Sequence, residues 1–360
     1  MLPEHVNKLK SPDQYFELFL IGDTGSIART GNDQVLETMK AHFDPEIKSA
    51  VVFLGDNVYP RGLPDKKNIL RADAEKALNQ HWEAMKNYHG KVLFISGNHD
   101  WNKGRKDGYE YVLRQEKYLE KLFGDRNVFL PTGGCPGPVK IDLGENLVLI
   151  LINTQWWLQS GFRPIGSNCG CSVDTEDDFF NSLESILKNN SGKRIVIAGH
   201  APVYSYAIHG GRYKLKHHLF PFTLYKRGAY VPLPVIGSLI PLYRKYFGAR
   251  EDIAHPRYRK LRHRLKELLA KYNGLIYAAG HEHNLQHIKK DGNHFIISGA
   301  GSKLKYVLEE GKNLLFGAKK KGFFKLGFNA DGDLHVSAWA IDSEIPRGKL
   351  IYETIIKGRL

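Results

Sequence analysis

Cysteine is scarce in this sequence, which has only three in 360 residues. Cys169 and Cys171 are separated by one glycine, and Cys135 lies in a turn rich in glycine and proline. No second pair follows at the spacing of a zinc finger, which argues against a structural zinc site. Two states remain open: a disulfide between Cys135 and one member of the pair in an oxidising compartment, or three free thiols in a reducing one.

Long apolar runs are also missing. The N-terminal residues are polar, and the apolar run at 15–21 is too short for a signal peptide or a membrane anchor. We therefore expect either an intracellular protein or one whose leader precedes this numbering. The run at 231–240 is too short and too rich in proline to cross a bilayer. Because repeats and clear linkers are lacking, we expect a single domain over residues 1–360.

Acidic residues are in deficit. The chain has 52 Lys and Arg against 38 Asp and Glu, so its formal net charge is +14. Such a surface attracts anionic partners, whether phosphate esters, nucleic acid or anionic lipid, but it also serves general solubility. The aromatic residues do not cluster into RNA-binding signatures, so specific nucleic-acid binding is not expected. No obligate protein partner is evident from the sequence.

Five short polar blocks are the most informative feature that is present. Each block follows an apolar run of strand length, and four of the five begin with glycine. Runs of this kind, bounded by glycine, predict buried strands, and loops at the carboxyl ends of neighbouring strands share one crevice. The side chains of the five blocks should therefore converge. The blocks are Asp23-Thr24-Gly25, Gly55-Asp56-Asn57-Val58-Tyr59, Gly97-Asn98-His99-Asp100, Gly199-His200 and Gly280-His281-Glu282-His283.

The order of the predicted elements indicates the fold class. Strands alternate along the chain with segments of helical pattern, which is typical of an α/β fold. We predict strands at 16–21, 50–54, 92–95, 147–152, 194–198 and 275–279. We predict helices at 33–42, 73–88, 175–188 and 258–272, the third with an N-cap pattern that begins at Thr175.

The blocks supply more metal ligands than one ion requires. A single ion needs four to six ligands, whereas seven with one carboxylate placed to bridge suit a two-metal site. Asp56 has two carboxylate oxygens in a turn and is the candidate bridge. The seven candidates are Asp23, Asp56, Tyr59, Asn98, His200, His281 and His283.

Tyr59 indicates which metal one half of the site would hold. A phenol has a pKa near 10, so a divalent ion will rarely keep it deprotonated, whereas Fe(III) can. Histidine and asparagine ligands beside a shared aspartate suit a divalent ion instead. The alternative is that Tyr59 only packs beside the turn.

Two further histidines are candidates for proton transfer. His99 follows a predicted ligand directly, and His209 lies a few residues beyond another. An imidazolium near the leaving oxygen of a phosphate ester is a suitable acid. We expect Asp100 to hold His99 in one tautomer. The alternative is that each histidine has only a structural role.

Residues 211–257 interrupt the alternation of strands and helices. The segment is rich in Gly, Pro, Tyr, Lys and Arg. We interpret it as an insertion near the active site. Contact with a membrane surface is a second possibility, and a crossover loop without a special role is a third.

The five blocks resemble those of the calcineurin-like metallophosphoesterase superfamily over residues 16–302, and within it the small, tartrate-resistant type of purple acid phosphatase. The resemblance implies a four-layer αββα sandwich. The sequence differs from this family at two places. Trp101 stands where related enzymes often have another histidine, and the segment 211–257 is longer than the family core needs. The resemblance implies Asp23, Asp56, Tyr59 and His283 on Fe(III), and Asp56, Asn98, His200 and His281 on Fe(II), Zn(II) or Mn(II), with His99 and His209 near the phosphate or the leaving group.

The resemblance also implies a function. The expected activity is hydrolysis of small phosphate monoesters by attack of a metal-bound hydroxide at a binuclear centre. A phosphodiesterase or nucleotide pyrophosphatase with the same metals is one alternative, and an inactive metal-bearing binding module at a membrane surface is another. Similarity to a bacterial subgroup with exported members favours the periplasm or cell envelope, with a cytoplasmic location as the alternative.

Overall fold

The fold is a mixed α/β sandwich in which two β-sheets lie face to face. The computed structural model describes residues 14–28, 33–224 and 228–358. The first sheet has the strand order β13-β12-β11-β1-β2-β3, and the second has the order β10-β8-β9-β7-β6-β5-β4. The strands are β1 (Gln14–Ile21), β2 (Lys48–Phe53), β3 (Lys91–Phe94), β4 (Val139–Gly144), β5 (Leu147–Leu151), β6 (Arg194–Ala198), β7 (Ile276–Ala279), β8 (Leu285–Lys290), β9 (Asn293–Ser298), β10 (Leu314–Ala318), β11 (Gly322–Asn329), β12 (Leu334–Ala340) and β13 (Lys349–Ile356).

Helices cover the outer face of each sheet. One apolar cluster lies between the inner faces of the two sheets. A second cluster lies between the first sheet and its helices, and a third lies between the second sheet and its helices, which gives four layers. The α-helices of the described residues are α1 (Gln34–Lys40), α2 (Arg71–Met85), α3 (Gly108–Phe123), α4 (Gln155–Leu158), α5 (Glu176–Asn189), α6 (Leu215–Leu219), α7 (Leu239–Tyr246) and α8 (Pro256–Leu269).

Each sheet contains a group of parallel strands whose residues are mostly buried on both faces. In β1, Leu18 and Leu20 face the second sheet, whereas Phe19 and Ile21 face the helices. Strands covered on both sides read as continuous apolar runs, which is why the sequence shows runs rather than alternation. β1, β2 and β3 are parallel in one sheet, and β5, β6, β7 and β9 are parallel in the other.

All six predicted strands are present, within two residues of the expected bounds. The four predicted helices are also present as α1, α2, α5 and α8. Asp33 and Thr175 cap α1 and α5, since each side chain accepts hydrogen bonds from the first turn. The sequence analysis predicts neither the helices α3, α4, α6 and α7 nor the strands β4 and β8 to β13. β11 enters the first sheet antiparallel to β1.

The cysteines adopt the first of the two states considered above. Cys135 and Cys171 form a disulfide, and Cys169 is a free, half-buried thiol. The bond ties the turn after Thr132 to the loop that precedes α5.

Residues 211–257 hold α6, α7 and two short 3-10 helices in their described part, since residues 225–227 lie outside it. Among the described residues, no helix has the length and hydrophobicity needed to span a bilayer. Trp101 is fully buried and donates a hydrogen bond to Ser96 Oγ at 3.0 Å. It packs between the first sheet and its helices.

Candidate metal centre

The polar blocks lie at the carboxyl ends of strands from both sheets. Those after β1, β2 and β3 belong to the first sheet, and those after β6 and β7 belong to the second. The convergence therefore occurs across the sandwich, at one edge of both sheets. All seven candidate ligands are buried.

The backbone is strained at three of these residues. Asp23, Asp56 and His281 have φ angles of 59°, 56° and 70°. A residue with a side chain rarely adopts such angles, and the cost is of order 1–3 kcal/mol at each position. Three positive φ angles at the neighbouring ends of three strands indicate that the backbone accepts an unfavourable conformation here so that the side chains point into the site.

Close approach explains why glycine precedes the ligands. A Cβ on Gly97 would lie 2.4 Å from the amide nitrogen and from Oδ1 of Asp56, and 2.7 Å from the ring of His200. No larger residue fits without moving both side chains.

The phenol oxygen of Tyr59 and three other potential ligand atoms form a first cluster. The phenol oxygen lies 3.0 Å from Oδ1 of Asp23 and 3.2 Å from Oδ2 of Asp56. It also lies 3.1 Å from Nε2 of His283, which is 3.3 Å from Oδ1 of Asp23. We call these four atoms the Tyr59 cluster.

A second cluster forms around Asn98. Its Oδ1 lies 3.0 Å from Nε2 of His200 and 3.0 Å from Nδ1 of His281, and these two nitrogens are 3.3 Å apart. Oδ1 of Asp56 completes the group at 3.5 Å from Nε2 of His200. We call these atoms the Asn98 cluster. The two clusters share only Asp56, which directs one carboxylate oxygen to each.

The Asn98 cluster has the lone-pair arrangement that a cation requires. His200 Nδ1 donates to the carbonyl of Leu54 at 2.8 Å, and His281 Nε2 donates to the carbonyl of Glu251 at 2.8 Å. The side-chain nitrogen Nδ2 of Asn98 donates to Glu251 Oε1 at 3.2 Å. The remaining atoms of all three side chains are therefore acceptors that face one another. Ligand atoms about 2.1 Å from one ion are about 3.0–3.4 Å apart, which is the observed spacing. The residues fit a metal ion.

The pKa values of the two aspartates in these clusters are shifted in opposite directions. Burial and the neighbouring Asp56 raise the pKa of Asp23 to about 6. Although burial alone would raise it, the pKa of Asp56 is lowered by the imidazoles of His99 and His200. Burial and the two carboxylates raise the pKa of Tyr59 well above its ordinary value. Only a highly charged ion beside the phenol would therefore keep it ionised.

His99 lies at the edge of the Tyr59 cluster. Its Nδ1 is 2.6 Å from the carbonyl oxygen of Pro60, its Nε2 is 3.8 Å from Oδ2 of Asp56, and its ring packs edge-on against Tyr59. The expectation that Asp100 would orient His99 was wrong. Pro60 orients it, because Nδ1 donates to that carbonyl.

Asp100 instead binds backbone amide groups of the site. Its carboxylate accepts from the amide nitrogens of Gly97, Asp56 and Asn57 at 2.7, 2.9 and 3.0 Å, and from Gln115 Nε2 at 3.0 Å. It therefore fixes the turns that carry Asp56 and Asn98. Burial and the proximity of Asp56 raise its pKa to about 7.

His209 is buried between an acid and a base. Its Nδ1 lies 2.8 Å from Oδ1 of Asp252, and its Nε2 lies 3.2 Å from Nζ of Lys305. Burial and Lys305 lower its pKa, so Nε2 accepts from the ammonium. Arg244 donates to both carboxylate oxygens of Asp252, to Oδ1 at 2.6 Å and to Oδ2 at 2.9 Å. The His209 ring lies 4.7 Å from that of His281.

Three charged residues of the site were missed by sequence reasoning. Nζ of Lys303 lies 3.2 Å from the centroid of the Tyr59 ring, and burial lowers its pKa to about 8. Lys305 contacts His209, and Glu251 contacts Asn98 and His281. No motif spacing marks these positions. The only signal was the position of Glu251 in the segment 211–257, which was expected near the site, whereas nothing marked the loop after β9 that carries Lys303 and Lys305.

The fold and sequence comparisons agree with this geometry. A family model described as calcineurin-like phosphoesterase matches residues 16–285. No curated protein matches the sequence.

Two solved structures show the same fold at low identity. One is GAP50, described as the anchor in the inner membrane complex of Plasmodium, with 17% identity and a TM-score of 0.57 over 96% of this chain and 90% of that chain. The other is the purple acid phosphatase PPD1 from yellow lupin (Lupinus luteus) seeds, with 15% identity and a TM-score of 0.56 over 96% of this chain and 55% of that chain.

Proposed function

The chain belongs to the calcineurin-like phosphoesterase family and is a metal-dependent phosphoesterase, and from this premise we propose that it hydrolyses small phosphate monoesters at a binuclear centre. The observation that carries the proposal is the pair of donor clusters that share only Asp56. One cluster contains a phenol and the other contains two imidazoles and an amide oxygen. This asymmetry supports Fe(III) in the Tyr59 cluster and a divalent ion (Fe, Zn or Mn) in the Asn98 cluster.

The protein side chains then divide the work. When bound, the two ions supply Lewis acidity and charge neutralisation at the phosphoryl group. Asp23, Tyr59 and His283 would hold one ion, Asn98, His200 and His281 would hold the other, and Asp56 would bridge them. The ammonium groups of Lys303 and Lys305 add positive charge beside the clusters, which suits the two negative charges of a monoester.

His99 is the proposed proton donor to the leaving oxygen. Its Nδ1 is fixed on Pro60, so its Nε2 is left directed toward the clusters near Asp56. His209 is proposed to act beside it, through Lys305. Since Nε2 of His209 accepts from Lys305, the proton on that side of the site belongs to the lysine.

The visible absorption spectrum of the aerobically purified protein, with metal analysis of the same sample, tests the ferric assignment. We expect a tyrosinate-to-Fe(III) band that disappears in Tyr59→Phe, while Asp56→Ala loses both metals and activity because the shared ligand is gone. A colourless active protein with two Zn or Mn per chain would overturn the ferric assignment, and full activity in Asp56→Ala would overturn the site.

Comparison of a phosphate monoester with its matched diester tests the substrate class. We expect faster monoester hydrolysis, because a diester has one negative charge fewer for Lys303 and Lys305. Faster diester hydrolysis would favour the phosphodiesterase or nucleotide pyrophosphatase alternative.

A non-enzymatic binding module is the second candidate. The description of GAP50 as an anchor suggests that the fold can serve that purpose. The complete donor set of this chain favours the enzyme. Full metal occupancy without turnover of any phosphate ester would favour the module.

A further inference from the structure

The helix α7 presents its apolar side outward. Leu239, Leu242, Tyr243, Tyr246 and Phe247 are all exposed, and their spacing places them on one face. Arg244, by contrast, is buried and pairs with Asp252. A surface helix of a soluble protein has the reverse arrangement.

The rest of the segment continues this surface. Twelve of the nineteen exposed large apolar side chains of the described residues lie between 215 and 247. Exposed apolar groups that are gathered in one segment, rather than scattered, mark an interaction site.

Val235 lies within this apolar stretch, four residues before the start of α7. It occupies the centre of a γ-turn, with φ 66° and ψ −62°, that is closed by a hydrogen bond of 2.8 Å from Ile236 N to Pro234 O. This turn is rare and strained, most of all for a β-branched residue. The turn directs the side chain of Val235 away from the protein, and this side chain is 87% exposed. A strained turn that exposes valine has no use in stabilising the fold.

The charge of the segment is entirely of one sign. Between residues 211 and 250 the sequence has eight Lys and Arg and no Asp or Glu. Lys216 and Lys245 lie exposed among the apolar side chains, and Arg212, Lys214 and Arg250 are also exposed. Basic residues interleaved with leucine and aromatic residues are typical of surfaces that bind anionic lipid.

We propose that the described residues between 211 and 250 dock on the surface of an anionic phospholipid bilayer, with the outer face of α7 and the turn at Val235 entering the headgroup region. The apolar side chains would supply burial, and the lysines and arginines would supply attraction to the lipid phosphates. A second copy of the chain fits less well, because this surface would meet another with the same positive charge. The proposal does not depend on the reaction at the metal centre.

The docking surface is connected to the metal centre through two side chains. Arg244 on α7 binds Asp252, and Asp252 binds His209, whose ring packs on His281. A membrane seated on the outer side of α7 would therefore be separated from His281 by this helix and these side chains.

Vesicle flotation of the purified full chain tests the proposal. Phosphatidylcholine vesicles are compared with vesicles that also contain about one-third phosphatidylglycerol. We expect binding to the anionic vesicles that weakens at high salt, and a loss of about tenfold or more in Tyr243→Ser/Phe247→Ser. Lys216→Glu/Lys245→Glu should lose at least about tenfold on anionic vesicles, since each charge contributes about fivefold. Ile355→Ser, which removes a similarly exposed apolar side chain on β13, is the matched control and should bind as the wild type.

Three results would overturn the proposal. The first is no binding of the wild type to anionic vesicles. The second is unchanged binding in both double variants. The third is a dimer in sedimentation that the serine variant abolishes while the vesicles remain unbound, which would assign the surface to a second copy. Should the serine variant prove less stable, the lysine variant decides alone, because its substitutions are exposed.

Discussion

At the scale of single residues, the site is built by directing side chains against backbone preference. Asp23, Asp56 and His281 all adopt positive φ. Each lies at a strand end where the chain must turn at once for its donor atoms to reach a cluster. At Asp56 this conformation is held by Asp100, whose carboxylate accepts the backbone N–H groups of Asp56, Asn57 and Gly97.

His99→Ala is the residue-scale test of proton donation. We expect the variant to retain both metals, because His99 is in neither cluster, and to lose about 100-fold or more in rate, the usual size of general acid catalysis. Rates on alkyl and activated aryl esters, with metal analysis, measure this. His263→Ala, which changes an exposed histidine of α8, is the control. Equal losses on both ester types would contradict the acid role, since an activated leaving group needs no proton.

The donor residues could be predicted from sequence because chemistry, position and spacing coincide in them. Each is a metal-binding type at the end of an apolar run. Lys303, Lys305 and Glu251 could not be, because lysine and glutamate are ordinary surface residues. Only the fold shows that these three lie at the site.

At the scale of elements, the burial of a strand determines how clearly the sequence predicts it. The parallel strands are covered on both faces, so they read as apolar runs bounded by glycine. β12 and β13 alternate between buried and half-buried or exposed residues, which is a weaker signal. The disulfide could be predicted only as one of two states, because its formation depends on the fold bringing Cys135 and Cys171 together.

Removal of the disulfide tests its contribution at this scale. Cys135→Ser should lower the free energy of unfolding by about 4 kcal/mol, because the bond closes a loop with a sequence separation of 36. Denaturant unfolding of the oxidised protein measures this. Cys169→Ser is the matched control and should change little, since Cys169 is a free thiol. Equal effects of the two substitutions would contradict the pairing.

At the scale of the whole molecule, the sandwich buries several histidines far from the metal centre. Burial lowers the pKa of His42 to about 4, of His294 to about 4 and of His287 to about 3. Below pH 6.5 the unfolded chain binds protons at these residues and the folded chain does not. Stability is therefore fully present above that pH and is lost as the pH falls toward 4.

The variant His42→Gln tests this pH dependence. Glutamine can still donate to the Arg347 carbonyl, which accepts from His42 Nε2 at 2.7 Å, but it does not titrate. Between about pH 6.5 and about pH 4.5, the free energy of unfolding should fall less steeply in the variant, by about 1.4 kcal/mol per pH unit. Urea unfolding over this range, at fixed metal content, measures both slopes. Parallel profiles would show that His42 is protonated in the folded protein.

On the buried side of α7, two side chains (Asp252 and His209) separate Arg244 from His281, so docking of the outer side on lipid has a kinetic consequence. For a phosphate ester held in the same bilayer, a catalyst seated on lipid meets its substrate by lateral diffusion in two dimensions. Its turnover then follows the mole fraction of substrate in the interface rather than the bulk concentration. Inert lipid added to the same amount of substrate would slow such a catalyst by surface dilution, whereas a freely diffusing one would be indifferent to it.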